Sequence, residues 1–306
     1  EMSNVSKALR TKLAEIAEIR PPKVVYKEFS NDGTRKWVLD VGNNSMVETV
    51  LIPADGDRKT LCVSSQVGCA LDCSFCSTGK QGFQRDLSIA EIIGQVWVAN
   101  RSYFEENQDY DSRERAITNV VMMGMGEPLL NFDAVVPAME LMLDDYAYGL
   151  SKRRVTLSTS GIVPMIDKLS EVIDVSLAVS LHAPNDELRN TLVPINERYS
   201  IKEVLNAAWN YAEASGRRVS IEYAMIKNIN DQKIHAQQLA NLLKNKDVHV
   251  NLIPLNPTPG SKWTASKSED ENAFVQILEQ ANVAVTVRDT RGREIDGACG
   301  QLAATV

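Results

Sequence analysis

From residue 60 onward the chain alternates short runs rich in Val, Ile and Leu with stretches of helical period, and this alternation limits the fold more than any single motif. Strands are predicted at 61–65, 117–123, 154–159, 175–181, 219–225 and 248–253, with a further one at 283–287. Helices are predicted at 88–100, 132–144, 163–171, 201–213, 232–243 and 270–280. The first of these opens on Ser88 with Glu91 three residues on, the spacing of a capping box. Apolar strands separated by helices imply a parallel sheet covered by helices. Six strand–helix units are two short of an eight-fold barrel, so the economical reading is an α/β fold built as a partial (β/α)6 barrel. An open doubly wound sheet shares the same periodicity. In both architectures ligand sites gather at the C-terminal ends of the parallel strands.

Upstream, 36–40 and 47–53 flank Gly42, Asn43 and Asn44 and read as a hairpin. Residues 4–19 read as the end of a helical element, which implies a further N-terminal segment. The expected organisation is therefore the remnant of a helical accessory domain over 1–20, a β-hairpin extension over 21–59, and the barrel with a C-terminal cysteine loop over 60–306. The acidic stretch 109–114 reads as an exposed loop.

A chain of 306 residues with 44% hydrophobic content can bury a substantial core. No stretch approaches the ~20 apolar residues of a membrane span, so no membrane partner is expected. Five cysteines, three of them clustered, and no signal peptide argue against a secreted disulfide framework and for a reducing cytoplasm. The net charge of −7 excludes a global basic footprint for nucleic acid. Local basic clusters exist at Lys152, Arg153 and Arg154, at Arg217 and Arg218, and at Arg288, Arg291 and Arg293, and their ordinary role is a solvated rim.

Cys69, Cys73 and Cys76 place three of the five cysteines within eight residues. Three thiolates so close can hold three irons of a cubane [4Fe–4S] cluster and leave the fourth iron open to bind and reduce a substrate. A zinc site with Cys62 or a histidine as fourth ligand is the alternative. Structural zinc, however, usually pairs ligands from two separated knuckles, whereas these three occupy one loop after a strand end.

Beyond the strand at 117–123, Gly124 and Gly126 let the backbone approach a ligand closely, and Glu127 can accept from an ammonium. A tight turn with a capping acid is the plainer reading. Ser158, Ser180, His182 and Asn256 are polar residues ending apolar strands, where a barrel's ligand site lies, though each alone reads equally as a turn former. Cys299 sits among Gly297, Ala298 and Gly300, and Cys62 lies seven residues before the cluster loop; either could be an ordinary buried cysteine.

The CxxxCxxC spacing, with Phe75 just before the last cysteine, is similar to the signature of radical S-adenosylmethionine enzymes. In that superfamily the open iron chelates the amino and carboxylate groups of S-adenosylmethionine, and the protein positions the sulfonium. The longer stretches 61–69, 75–83, 124–131, 180–185 and 298–302 resemble one family closely, the RlmN radical S-adenosylmethionine RNA methyltransferases acting on adenine carbon 2. The resemblance runs through essentially the whole chain. Carbon 2 of adenine is electron-poor and cannot attack a sulfonium methyl, so a radical route is chemically sensible.

The resemblance implies that Cys69, Cys73 and Cys76 ligate the cluster. It implies that Gly126, Glu127, Ser158, Ser180, His182 and Asn256 contact S-adenosylmethionine, with Leu181 contributing backbone. It further implies two S-adenosylmethionine molecules per turnover: one to methylate Cys299, and a second to be cleaved to a 5′-deoxyadenosyl radical that takes a hydrogen from the S-methyl group. The resulting methylene radical adds to the base and tethers the RNA through Cys299. Cys62 then attacks that sulfur, forms a transient disulfide and releases methylated RNA, while Glu48 matches the proton acceptor at carbon 2. The implied partners are 23S ribosomal RNA (the peptidyl-transferase region), tRNA (the adenosine 3′ of certain anticodons) and an electron donor such as flavodoxin or a chemical reductant, with the protein a monomer. A sister enzyme that methylates carbon 8 shares Cys62 and Cys299, but Pro128 and the Leu129, Leu130, Asn131 run look more like the carbon-2 enzymes. A zinc-stabilised RNA-binding module and an activase that makes glycyl radicals are the readings from other classes.

Overall fold

The computed structural model describes residues 5–304 except 19, 55, 107–115 and 259. The acidic stretch 109–114 lies outside the described residues. Helix α1 (Lys7–Ile16) is capped by Ser6, whose Oγ accepts from the Leu9 amide, and it buries no side chain. Strands β1 (Lys23–Phe29), β2 (Arg35–Asp40) and β3 (Met46–Pro53) form an antiparallel meander. The β2–β3 hairpin expected from the sequence turns at Asn43 (φ 53°) and Asn44 (φ 56°), the two left-handed central residues of a type I′ turn. Strand β1 was not legible because it is an edge strand lying mostly in solvent, so no buried stripe marks it.

Strand β3 pairs antiparallel with β4 (Lys59–Cys62), which opens the parallel part of the sheet. A separate ribbon of β5 (Gln66–Val67) and β6 (Arg85–Asp86) brackets the cysteine loop and the short helix α2 (Ser77–Lys80). Then β7 (Asn119–Met122), β8 (Val155–Thr159), β9 (Ser176–Ser180), β10 (Val219–Met225), β11 (Val248–Pro254) and β12 (Ala284–Val287) follow. Each parallel strand, from β4 to β12, pairs with the next in chain order. A doubly wound sheet reverses its order at a switch point, and none occurs among the described residues. Thr60, Val121, Thr156, Ala178, Ser220, Asn251 and Thr286, one from each of the seven parallel strands, line a single space. Only a curled sheet can do that, so the fold is a partial barrel; β1 and β12 are its open edges.

The other face of each strand is apolar: Met122, Leu157, Leu177, Ile221 and Leu252 are inaccessible to solvent or nearly so. Helices α3 (Ile89–Glu106), α4 (Phe132–Leu143), α5 (Val163–Val172), α6 (Asp186–Leu192), α7 (Ile201–Ser215), α8 (Lys233–Leu243) and α9 (Ser268–Gln280) lie along the chain between or after these strands. The predicted Ser88–Glu91 capping box is present: the Ser88 amide donates to Glu91 Oε2 at 2.7 Å and the Glu91 amide to Ser88 Oγ at 3.3 Å. Helix α7 has the same device at Ser200 and Glu203 and stops at Gly216, φ 64°. Helix α6, only seven residues long, was not anticipated, because so short a helix carries less than two apolar turns of periodicity. Among the described residues no helix is long and apolar enough to cross a membrane.

Candidate active site

Strand β4 ends at Cys62, and the chain then folds over the C-terminal ends of the parallel strands. The Ser65 amide bonds Met125 O (2.8 Å), the Cys69 amide bonds Gly82 O (3.2 Å), and the Ser77 amide bonds Gly300 O (2.8 Å). Gly68, at φ +71°, is obligatory here, since a Cβ would sit 1.8 Å from Gly82 O. Cys69, Cys73 and Cys76 thereby reach one cavity. Burial pushes the Cys69 thiol up to about 11, and burial with the neighbouring Cys76 and Cys69 sulfurs pushes Cys73 higher still. Without a metal the Cys69 and Cys73 sulfurs keep their protons; a strongly Lewis-acidic group is what would ionise them. Among the described residues no three His, Cys, Asp or Glu side chains are gathered around a single-ion position. The three thiols instead line one open-mouthed cavity, which suits a cluster with an open iron.

The adjoining walls come from strand ends. Gly126 (φ +92°) lies against Gln66, whose Cβ would be 2.5 Å from a Cβ at 126. The Glu127 amide donates to Gln66 Oε1 at 2.9 Å. Glu127 accepts from the Leu129 amide (3.1 Å) and the Ser160 amide (2.8 Å), and burial raises its carboxyl to about 6. Ser158 and Ser180 face each other, Oγ to Oγ 3.3 Å. His182 is left-handed at φ 59° and accepts the Ala224 amide on Nδ1 at 3.0 Å. Burial, helped by Arg189, pushes its imidazole down to about 3, so the ring is neutral and its Nε2 carries the hydrogen. Asn256 donates to Cys299 O at 3.0 Å, while its Oδ1 is buried without a partner. Gly126, Glu127, Ser158, Ser180, His182 and Asn256 all line the cavity that the three cysteines line. Leu181 is fully buried and does not; its amide donates to Glu222 O at 3.0 Å. A glycine with no room for a side chain, a buried carboxylate and an unpartnered buried amide oxygen fit a small polar cofactor with an ammonium group.

Cys299 lines the same cavity. Arg288 donates to its Sγ at 3.5 Å. Cys62 lies buried close to both, and burial, with the Cys299 sulfur second, lifts its thiol to about 12. All five cysteines are free thiols. Glu48 is placed differently. It is buried, its Oε1 lies 3.7 Å from Lys36 Nζ, and its Oε2 accepts the Ala303 amide at 3.2 Å, outside the cavity lining.

Three residues of the site were not singled out from the sequence. Glu222 lines the cavity, takes Asn251 Nδ2 at 2.8 Å on Oε1 and leaves Oε2 buried and unpartnered. Its register partners are Ser180 and Asn251, so polar inward positions align across β9, β10 and β11. Arg189 is wholly buried and donates to the carbonyls of Leu181 (2.9 Å), Ser160 (2.6 Å) and Ser180 (3.1 Å) and to Asn196 Oδ1 (2.9 Å), tying two strand ends together. Arg288, read from the sequence as part of a rim, is in the cavity instead. Of the other basic clusters, Lys152 and Arg217 both pair with Asp174.

The curled singly wound sheet and the three-cysteine loop over its strand ends define a radical S-adenosylmethionine enzyme. The model of the radical SAM superfamily matches residues 63–239. The chain is 58% identical over its full length to the dual-specificity RNA methyltransferase RlmN of Marinobacter nauticus, 82% of which it covers. It is 59% identical to that of Pseudomonas putida, covering 80% of it. A crystal structure of a radical SAM methyltransferase from Sphaerobacter thermophilus superposes with a TM-score of 0.91 at 44% identity, over 99% of this chain and 87% of that one. Spore photoproduct lyase with bound AdoMet shares the fold at 15% identity and a TM-score of 0.51. The chain belongs to the RlmN family. Its superfamily works with a [4Fe–4S] cluster and S-adenosylmethionine.

Proposed function

We propose that the chain methylates carbon 2 of adenosine in 23S ribosomal RNA and in tRNA, with Cys299 as the sulfur that carries the new carbon to the base. The observation that carries this reading is the convergence of Cys69, Cys73, Cys76 and Cys299 on one cavity, with the buried Cys62 near enough to Cys299 for the two thiols to interact. Bound there, the cluster and two S-adenosylmethionine molecules per turnover supply a methyl group and, after one-electron reduction, a carbon radical. Cys69, Cys73 and Cys76 hold the cluster. Gly126 clears space for the methionyl end, and Glu127 accepts from its ammonium. Ser158, Ser180 and Asn256 orient the remainder by hydrogen bonds, and neutral His182 offers an Nε2 hydrogen without adding charge.

Cys299 delivers the carbon while Arg288 steadies its sulfur. Cys62 attacks that sulfur; the S–S bond forms as the S–C bond breaks, and the bonding pair leaves on the base-bound carbon, which takes up a proton to become the new methyl group. The raised proton affinity of Cys62 means that it gives up its proton only when the attack begins, which protects the adduct until then. Glu48, held by Lys36 and the Ala303 amide, is assigned to the carbon-2 proton on family likeness, and reaching it requires the segment around Ala303 to move. The target adenosine has to leave its stack to reach this depth. The protein acts as a cytoplasmic monomer and draws electrons from a donor such as flavodoxin.

Anaerobic reconstitution with iron and sulfide, followed by mass spectrometry of Cys299 after adding S-adenosylmethionine, tests the proposal. A brown protein that gains one methyl on Cys299 and yields 2-methyladenosine in RNA supports it. An unmodified Cys299 removes the methyl-carrier role, and 8-methyladenosine alone would reassign the chain to the sister activity.

A further inference from the structure

The cysteine loop has two faces. Cys73, Phe75 and Cys76 line the substrate cavity, whereas Ser74, between them, lines a separate groove on the far side. Lys80 from α2, Leu188 and Thr191 from α6, and Lys262 and Trp263 from the loop after β11 complete that groove. Among the described residues Lys80 and Lys262 are its only charged lining residues, on a chain whose net charge is −7. Lys262 Nζ lies 4.5 Å from the centroid of the Trp263 ring. Trp263, Leu188 and Ile229 pack on the small apolar cluster that contains Phe75, and Cys73 and Cys76 pack on the same cluster. The Ser74 Oγ is buried with no partner. A positively charged, aromatic-edged groove therefore lies one residue's thickness from two of the three metal-ligand candidates.

We propose that this groove is where an acidic one-electron carrier protein docks, donating one electron through the loop to the cluster, so that the carrier is oxidised as the cluster is reduced. The inference rests on the reading of Cys69, Cys73 and Cys76 as ligands of a reducible cluster. Charge complementarity argues for the partner: an acidic body is repelled by the chain's net charge of −7, and Lys80 and Lys262 offer it two cations beside the loop through which the electron can enter. Electron-transfer encounters use small, transient interfaces steered by charge, which suits two lysines and one aromatic edge. The substrate base and the carrier then use opposite faces of one loop and do not compete.

The test uses reduced flavodoxin as the probe and the double variant Lys80→Glu, Lys262→Glu in the reconstituted protein. Flavodoxin affinity and the rate of flavodoxin-driven bleaching of the cluster absorbance are expected to fall at least tenfold. The salt dependence of that rate is expected to flatten. Reduction by dithionite, which needs no docking, stays at the wild-type rate. Flavodoxin-driven reduction that is unchanged in the variant overturns the proposal, including the case where only RNA affinity falls and the groove is an RNA contact. Failure of dithionite to reduce the wild-type centre would instead sink the cluster reading. Flavodoxin binding to the metal-free protein is then the deciding measurement for the groove, and binding insensitive to the two charge reversals overturns it.

Discussion

A guanidinium nitrogen of Arg288 lies 3.5 Å from the sulfur of Cys299, inside the cavity that the three clustered cysteines also line. Arg288's own proton is held more tightly than usual, chiefly by the Cys299 sulfur, with Glu222 and Cys62 adding to the effect. A single buried cation thus serves two thiols and a carboxylate.

That arrangement makes Cys299 reactivity depend on Arg288. A hydrogen bond to a charged group contributes about 1.5–3 kcal/mol, so Arg288→Gln should slow alkylation of Cys299 by iodoacetamide on the order of tenfold or more at fixed pH. Arg288→Lys keeps the charge and should recover much of the rate. Peptide mass spectrometry of the metal-free protein reads both. Equal rates in all three proteins would remove Arg288 from the chemistry.

Gly126 is the tightest point of the cofactor wall. Gly126→Ala combines a left-handed residue with a Cβ 2.5 Å from the Gln66 side chain and should cost roughly 2–4 kcal/mol. Binding of S-adenosylmethionine, followed by calorimetry on reconstituted protein, should be lost before the fold is. Wild-type affinity in a stable variant would show that the backbone here does not contact the ligand.

His182 sets an acid limit on stability. Its folded proton affinity is depressed from an ordinary value of 6.5 to about 3 by burial, so the folded state resists protonation that the unfolded chain accepts. Its contribution is complete above about pH 6.5 and is lost as pH falls toward 3, at up to about 1.4 kcal/mol per pH unit. His182→Asn tolerates the left-handed backbone and does not titrate. Denaturant melts at pH 7, 5 and 4 should therefore fall less steeply for the variant than for wild type; parallel slopes would mean that the ring is solvated.

Arg189 holds the site together from behind. Arg189→Ala leaves the carbonyls of Ser160, Ser180 and Leu181 buried without this donor and should destabilise by about 3–5 kcal/mol, seen in urea melts of metal-free protein. A loss under 1 kcal/mol would mean that water replaces it.

Periodicity determined the parallel strands and the longer helices, because a parallel strand buries its outer face under helices and so must be apolar in the chain; it missed the edge strand β1 and the seven-residue α6. Capping chemistry at Ser88 and turn chemistry at Asn43 and Asn44 are local for the same reason: the partners lie within three residues. The three cysteines were equally legible, since one loop carries them all. Tertiary structure decided what periodicity leaves open. Strand order settled a curled singly wound sheet over a doubly wound one, because only pairing reveals whether the sequence of strands ever reverses. It brought Cys299 near Cys62, far apart in the chain, and set Arg288 within interaction range of both thiols and Glu222. It likewise took Arg288 out of the rim and placed Glu48 behind the tail rather than in the cavity. These are contacts between residues with no local tie, and their energies depend on burial and mutual distance, quantities that exist only once the chain has closed on itself.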